Sequence, residues 1–201
     1  SIDEQPGNYE HLLNAKNLHK ALCDHFAYLA DTPGFEPILS AIMQKAHKVE
    51  LENEKLIISF PGDDKLIAGM PADINQYKNW PKSFQNCVAV HEYLAFPEEG
   101  WAQYLGDTGN FETEYLEEDE SDLLDFVDAE EVLCPLTDYS DWWLYHPGKK
   151  NFSGEDSLCF FSHEGGDVEK PIEYNAGSLF LKMMANGLEL ELDFPEDIGK
   201  N

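Results

Sequence analysis

Apolar residues along the first fifty positions recur at helical spacing. Between residues 9 and 30 they return about every 3.6 positions, and Pro33 followed by Gly34 ends the stretch. This spacing predicts one amphipathic helix over residues 9–30. A second helix is predicted over residues 37–48, because Pro37 suits the first turn of a helix and apolar residues again follow at helical intervals.

After Glu50 the apolar pattern changes to short runs typical of β-strands. Residues 55–60 and 65–70 are two such runs, joined by the turn sequence Pro-Gly-Asp-Asp at 61–64. Residues 87–96 form a longer apolar run before Pro97, which predicts another strand. Weaker strand candidates are residues 104–105 and residues 111–116, where apolar and acidic residues alternate.

The last third of the chain continues this mixed pattern. Ser121 is a candidate N-cap for a short acidic helix carrying apolar residues up to position 132. Strands are predicted over residues 140–146 and 157–162, separated by the polar loop 147–154. A final helix is expected from Ser178 as its N-cap to Gly187 as its C-cap.

Together these elements predict an α+β fold: N-terminal helices, a mostly antiparallel sheet and a closing C-terminal helix. With 201 residues, of which 42% are apolar, the chain is long enough to form one domain with a sizeable core. We therefore expect a single acidic domain over residues 1–201, with residues 1–50 as a candidate helical subregion.

The net charge of the chain limits the kinds of partner that it can bind. The chain has 40 acidic residues against 13 basic ones, a formal net charge of −27, and all the basic residues are lysines. Arginine is the usual bidentate ligand of phosphates and guanine edges, and a surface this acidic repels a nucleic-acid backbone. We therefore expect no nucleic-acid partner.

The charge is also unevenly distributed. No basic residue lies between Lys82 and Lys149, whereas seventeen acidic residues do. This stretch is either a solvated face that maintains solubility or a landing site for a basic protein, which its field would attract. For the second reading, the predicted steering charges are Glu114, Glu117, Glu118, Asp119, Glu120, Asp122 and Asp125.

The cysteines and the hydropathy of the chain indicate the cellular compartment of the protein. The four cysteines, at positions 23, 87, 134 and 159, are widely spaced among apolar neighbours, as expected of buried free thiols in a reducing environment. No segment has the pattern of a signal peptide or the apolar length of a membrane span. These features predict a cytoplasmic protein that does not bind a membrane.

Candidate chemistry is sparse. The cluster His163, Glu164 and Asp167, with His91 or His146 joining it, could perform acid–base catalysis; its plainer reading is a polar Gly-Gly turn after a strand. His19 and Cys23 share one face of a predicted helix but supply only two metal ligands, fewer than a zinc site needs. We expect no metal and no cofactor.

Aromatic residues are dense in the predicted strand at 140–146. Trp142 and Trp143 must face opposite sides of a sheet there, since side chains alternate along a strand. Either both rings are in the core, or one is a partner-binding anchor, a role that tryptophan favours.

The C-terminal third resembles the SMI1/KNR4 (SUKH) superfamily over residues 132–190. The similar features are Val-Leu-Cys-Pro-Leu-Thr-Asp at 132–138, the aromatic strand at 142–147, the apolar run ending in His163 and Glu164, and Ala-Gly-Ser-Leu-Phe at 176–180. The resemblance implies an α+β fold without catalysis. Many bacterial members of that family are immunity proteins that neutralise a toxin, often a basic nuclease.

Three functional hypotheses follow. The first is a non-catalytic module that binds a basic protein through its acidic middle, such as a toxin-neutralising immunity protein. The second is a hydrolase-type enzyme with a His/Glu/Asp site. The third is an acidic housekeeping domain whose charge serves solubility alone. The sequence leaves the oligomeric state open.

Overall fold

Antiparallel strands in chain order form the centre of the structure. The structure, a computed structural model, describes residues 9–98, 101–106, 111–118, 121–164 and 168–195. Within these residues, eight strands pair with their sequence neighbours in one meandering sheet. The strands are β1 (Lys48–Glu52), β2 (Lys55–Ser59), β3 (Lys65–Ala68), β4 (Tyr93–Glu98), β5 (Trp101–Gly106), β6 (Leu136–Asp138), β7 (Asp141–Lys150) and β8 (Asp156–Phe161).

The helices precede, interrupt and close this sheet. Those of the described residues are α1 (Glu10–Leu13), α2 (Leu18–His25), α3 (Glu36–Lys45), α4 (Lys82–Val88), α5 (Glu114–Glu118) and α6 (Ala176–Gly187). Short 3₁₀ turns add Ala27–Ala30, Ile74–Tyr77, Asp122–Asp125 and Ala129–Glu131. The expected α+β class, with N-terminal helices, an antiparallel sheet and a closing helix, is confirmed. None of the described helices has the length and apolar character needed to cross a membrane.

The sheet has a different apolar cluster on each face. The larger cluster, which we call the main core, packs the N-terminal helices, α4 and α6 against β2–β5 and one face of β7 and β8. The smaller cluster, which we call the second core, lies on the other face of β7 and β8. Along β7, Trp142 and Leu144 belong to the second core, whereas Trp143 and Tyr145 pack in the main core. The strand is therefore covered on both sides.

The prediction of one helix over residues 9–30 is wrong. The segment divides into α1, α2 and a 3₁₀ turn, because the side chain of Asn17 accepts a hydrogen bond from the backbone N–H of Lys20 and so begins a new helix. The second predicted helix ends at Lys45, since Ala46 is already extended and leads into β1.

The predicted strand over residues 87–96 is also wrong in its first half. Val88 ends α4, whose buried side chains Phe84, Cys87 and Val88 recur at helical spacing, and β4 begins only at Tyr93. Residues 111–116 contain no strand in the structure; Glu114 begins α5 there instead. A short apolar run does not by itself distinguish a strand from a buried helical turn.

Other predicted elements agree with the structure, with shifts at their ends. The strands near residues 55–60, 65–70, 104–105, 140–146 and 157–162 are confirmed, and β7 extends through Lys150 into the predicted loop. Ser121 accepts a hydrogen bond from the backbone of Leu123, as an N-cap should, although the turn it begins is 3₁₀. Ser178 does not cap α6, which starts at Ala176; its hydroxyl donates to the carbonyl of Leu29 instead.

The first turn of α6 lies unusually close to the 3₁₀ turn after α2. A Cβ on Gly177 would stand 3.0 Å from Cα of Leu29 and 3.3 Å from Sγ of Cys87. Since backbone cannot move aside as a flexible side chain can, only glycine fits this contact without displacement.

We expect Gly177→Ala to destabilise the protein by about 1–3 kcal/mol, because overpacking at the contact with Leu29 exceeds the gain of about 1 kcal/mol in helix propensity. Urea unfolding measures the change. Asn186→Ala is the control, since Asn186 is exposed on the same helix and its replacement should be close to neutral. A Gly177→Ala protein as stable as the wild type would contradict this account of the contact.

Candidate functional site

From here on, the acidic stretch means residues 111–118 and 121–132, which are held against the sheet by their own apolar residues. Leu116 from α5 and Leu123 from the 3₁₀ turn are fully buried in the second core, where the sheet contributes Trp142, Leu144 and Phe161. Burying a leucine side chain stabilises a fold by about 1.5–3 kcal/mol. The stretch is therefore an ordered layer on the outer face of the sheet.

The carboxylates of this layer face solvent. Glu114, Glu117, Glu118, Asp122 and Asp125 are all exposed, and among the described residues no lysine forms an ion pair with any of them. Asp119 and Glu120, also predicted as steering charges, lie outside the described residues. We call the five described carboxylates, with the side chain of Phe126, the acidic surface.

The pKa of Tyr115 is changed by the negative charge of this layer. The pKa of its hydroxyl is raised, first by the charge of Glu112 and then by partial burial, with smaller contributions from Glu118 and Glu114. Its ring also stacks on Trp142 at 5.3 Å between centroids. Negative charge thus accumulates directly above the second core.

Neither predicted tryptophan anchor lies open on the surface. Trp142 is only 8% exposed and is covered by Tyr115 and Phe111. Trp143 points to the opposite face of the sheet and packs beside Phe160, with its indole N–H buried and without a hydrogen-bond partner in the described part of the chain.

Phe126 is an exposed aromatic that the sequence interpretation missed. Phe126 is 52% exposed, and the centroid of its ring lies 4.6 Å from the centroid of the His146 ring. Gly148 permits this position, since a Cβ there would stand 2.5 Å from the Phe126 ring. A lone aromatic between Asp125 and Asp128 was the signal available in the sequence.

The predicted His/Glu/Asp cluster is described only in part. His163 and Glu164 are exposed at the end of β8, where the backbone N–H of His163 donates to Asp141 at 2.9 Å. Asp167 lies outside the described residues. His146 lies in the middle of β7, where it pairs with Ser157, whereas His163 lies beside Asp141 at the start of that strand. His146 accepts a hydrogen bond from the backbone N–H of Gly148.

His91 lies in the main core beside His25. His91 Nδ1 is 2.6 Å from the carbonyl oxygen of Gly69, which can only accept, so Nδ1 carries the proton. His91 Nε2 is then an acceptor, and His25 Nε2 donates to it at 2.9 Å. The hydroxyl of Tyr9 also donates to Gly69, at 3.2 Å, which places α1 over the pair.

Both imidazoles of this pair are neutral near pH 7. Burial lowers the pKa of His25 to about 3, with the neighbouring His91 and His11 lowering it further. Burial also lowers the pKa of His91 to about 4, although the hydrogen bond to Gly69 opposes the shift. The pair is suited to packing rather than to proton transfer at neutral pH.

His19 and Cys23 border a cavity between α2 and α3. Its volume is about 290 Å³, and its lining residues are His19, Lys20, Cys23, Asp24, Ala27, Ala30, Glu36, Leu39 and Ser40. His19 Nε2 lies 3.2 Å from the carbonyl oxygen and 3.1 Å from Oγ of Ser40. In the residues that the structure describes, no three side chains are grouped so that they could hold a metal ion.

Comparisons with known proteins do not add a functional assignment. No protein-family model, curated protein or solved structure matches the chain significantly. The function must therefore be inferred from the geometry and charge of the described residues.

The buried histidine pair should make stability depend on pH. In the unfolded chain a histidine has a pKa near 6.5, so below that pH the unfolded state binds protons that folded His25 and His91 exclude. We expect the contribution of the pair to the free energy of unfolding to be complete above pH 6.5. This contribution should be lost as the pH falls toward 4. His25→Gln should flatten the decline by about 1 kcal/mol per pH unit.

Urea unfolding between pH 7 and pH 4 measures this slope for the wild type and the variant. The difference between the two curves isolates His25 from the many titrating carboxylates. His47→Gln, at an exposed histidine, is the control and should leave the slope unchanged. Equal slopes for the wild type and His25→Gln would contradict the assignment of a neutral buried pair.

Proposed function

We propose that the chain is a non-catalytic module that binds a basic protein through the acidic surface. The observation that carries the proposal is the exposure of Glu114, Glu117, Glu118, Asp122 and Asp125 on one ordered layer. A flexible acidic tail would present the same charge, but without a fixed arrangement that a partner could match.

Electrostatics supports this proposal in two ways. Exposed carboxylates grouped on one layer, none of them in an ion pair with a lysine of the described residues, produce a potential that accelerates encounter with a cationic partner. The Debye length is about 8 Å at physiological ionic strength, so salt screens charges that are further apart than this. A partner surface that approaches within this distance is attracted by the grouped carboxylates together. The same charges oppose a nucleic-acid partner.

Phe126 adds an apolar contact to this charged surface. Interfaces gain most of their binding energy from a few residues, often aromatic, that are surrounded by polar groups. Phe126 is exposed between Asp125 and Asp128 and is supported from below by His146 and Gly148. In the proposed complex, the carboxylates bring the partner in and the Phe126 ring anchors it.

The specific role we propose is neutralisation of a toxin. The resemblance of residues 132–190 to the SMI1/KNR4 superfamily supports this role, because many bacterial members of that family bind toxins that are commonly basic. We also propose that binding takes place in the cytoplasm, which is consistent with the free state of Cys23, Cys87, Cys134 and Cys159.

The experiment is affinity capture from the native host at moderate salt, with two neutralised variants compared with the wild type. The first carries Glu117→Gln, Glu118→Gln, Asp122→Asn and Asp125→Asn; the second carries Glu50→Gln, Glu52→Gln, Glu54→Gln and Asp63→Asn. Both remove four exposed charges. The wild type and the second variant should retain a basic protein that the first loses, because only the first changes the acidic surface.

The captured protein then tests the toxin role. If the proposal holds, it is toxic when expressed alone and harmless when expressed with the wild-type chain. Capture of no basic protein, or equal capture by both variants, would contradict binding through the acidic surface. Capture of a harmless basic protein would contradict the toxin role and leave the binding proposal intact.

A further inference from the structure

The cavity between α2 and α3 lies apart from the acidic surface and has the composition of a small-molecule site. Ala27, Ala30 and Leu39 provide an apolar wall, and polar or ionisable groups surround it from the other lining residues, His19, Lys20, Cys23, Asp24, Glu36 and Ser40. Its volume of about 290 Å³ is close to the lower end of the range for ligand pockets, roughly 300 Å³. An occupant must therefore be small, with an apolar part that packs on this wall.

The polar groups of the cavity are arranged for binding rather than for reaction. His19 Nε2 must carry a proton, because it contacts the carbonyl oxygen of Ser40, which only accepts. It therefore donates to Ser40 Oγ as well and cannot serve as the base for that hydroxyl. Burial raises the pKa of the Cys23 thiol, so the thiol stays neutral and weakly nucleophilic.

The charged residues of the lining favour a cation. Asp24 and Glu36 contribute two exposed carboxylates, against the single cation of Lys20. Lys20 already pairs with Asp24 at 2.5 Å, but both side chains are more than 60% exposed, and such surface pairs separate at little cost. The net charge of −27 further concentrates small cations around the protein.

We infer that this cavity binds a small primary alkylamine. The ammonium group pairs with a carboxylate of the lining, from Asp24 or Glu36, and the alkyl chain packs against Ala27, Ala30 and Leu39. A carboxylate of the same length is excluded by repulsion, and an alcohol lacks the ion pair. This inference does not depend on the proposed protein partner.

The test is an NMR titration of the full chain with hexylamine, and with hexanol and hexanoate as ligands of equal chain length. Hexylamine should shift the amide signals of α2 and α3 saturably. Glu36→Gln should weaken its binding about two- to fivefold, as expected for one solvent-exposed ion pair. Glu52→Gln, which removes an exposed charge on β1, is the matched control and should bind as the wild type does.

A second variant tests the apolar walls independently of charge. Ala27 is exposed and lines the cavity, so Ala27→Leu should obstruct it and reduce hexylamine binding at least tenfold, about 1.4 kcal/mol, while the chain stays folded. Hexanoate binding as well as hexylamine, unchanged binding in Glu36→Gln or Ala27→Leu, or shifts confined to segments other than α2, the Ala27–Ala30 turn and α3 would each overturn the inference.

Discussion

The structure depends on a sheet region that is apolar on both faces. In β7 and β8 the side chains that face the helices include Tyr145 and Leu158, and those that face away include Leu144 and Phe161. The N-terminal helices, α4 and α6 cover only the first set. Exposure of these apolar side chains to water is unfavourable. Another part of the chain must therefore cover the second set, and the acidic stretch does so.

This constraint explains how so much negative charge is kept in one place. Carboxylates brought together repel one another, and the repulsion alone would favour an extended, solvated chain. Leu116 and Leu123 oppose it, since both are buried completely in the second core. The position of the acidic surface is therefore a consequence of hydrophobic packing, and its proposed function is a consequence of that position.

Much of this arrangement could be predicted from the sequence, because local patterns specify it. The strands near residues 140–146 and 157–162 follow from their apolar and aromatic runs, and the antiparallel sheet follows from their short connections. The division of residues 9–30 could not be predicted from spacing alone, since it depends on the hydrogen bond made by Asn17. A lone aromatic between acidic residues indicates Phe126, but its exposure depends on its contacts with His146 and Gly148. The cavity depends on how α2 packs on α3, which apolar spacing does not show.

Hydrogen exchange of the chain, free and bound to the basic protein it captures, tests the central claim most directly. In the free chain the amides of Leu116, Leu124 and Phe126 form turn hydrogen bonds above the second core and should exchange more slowly than in an unfolded peptide. On binding, additional protection should appear at residues 111–132. Unprotected amides there in the free chain, or additional protection confined to other segments, would contradict an ordered acidic surface that binds the partner.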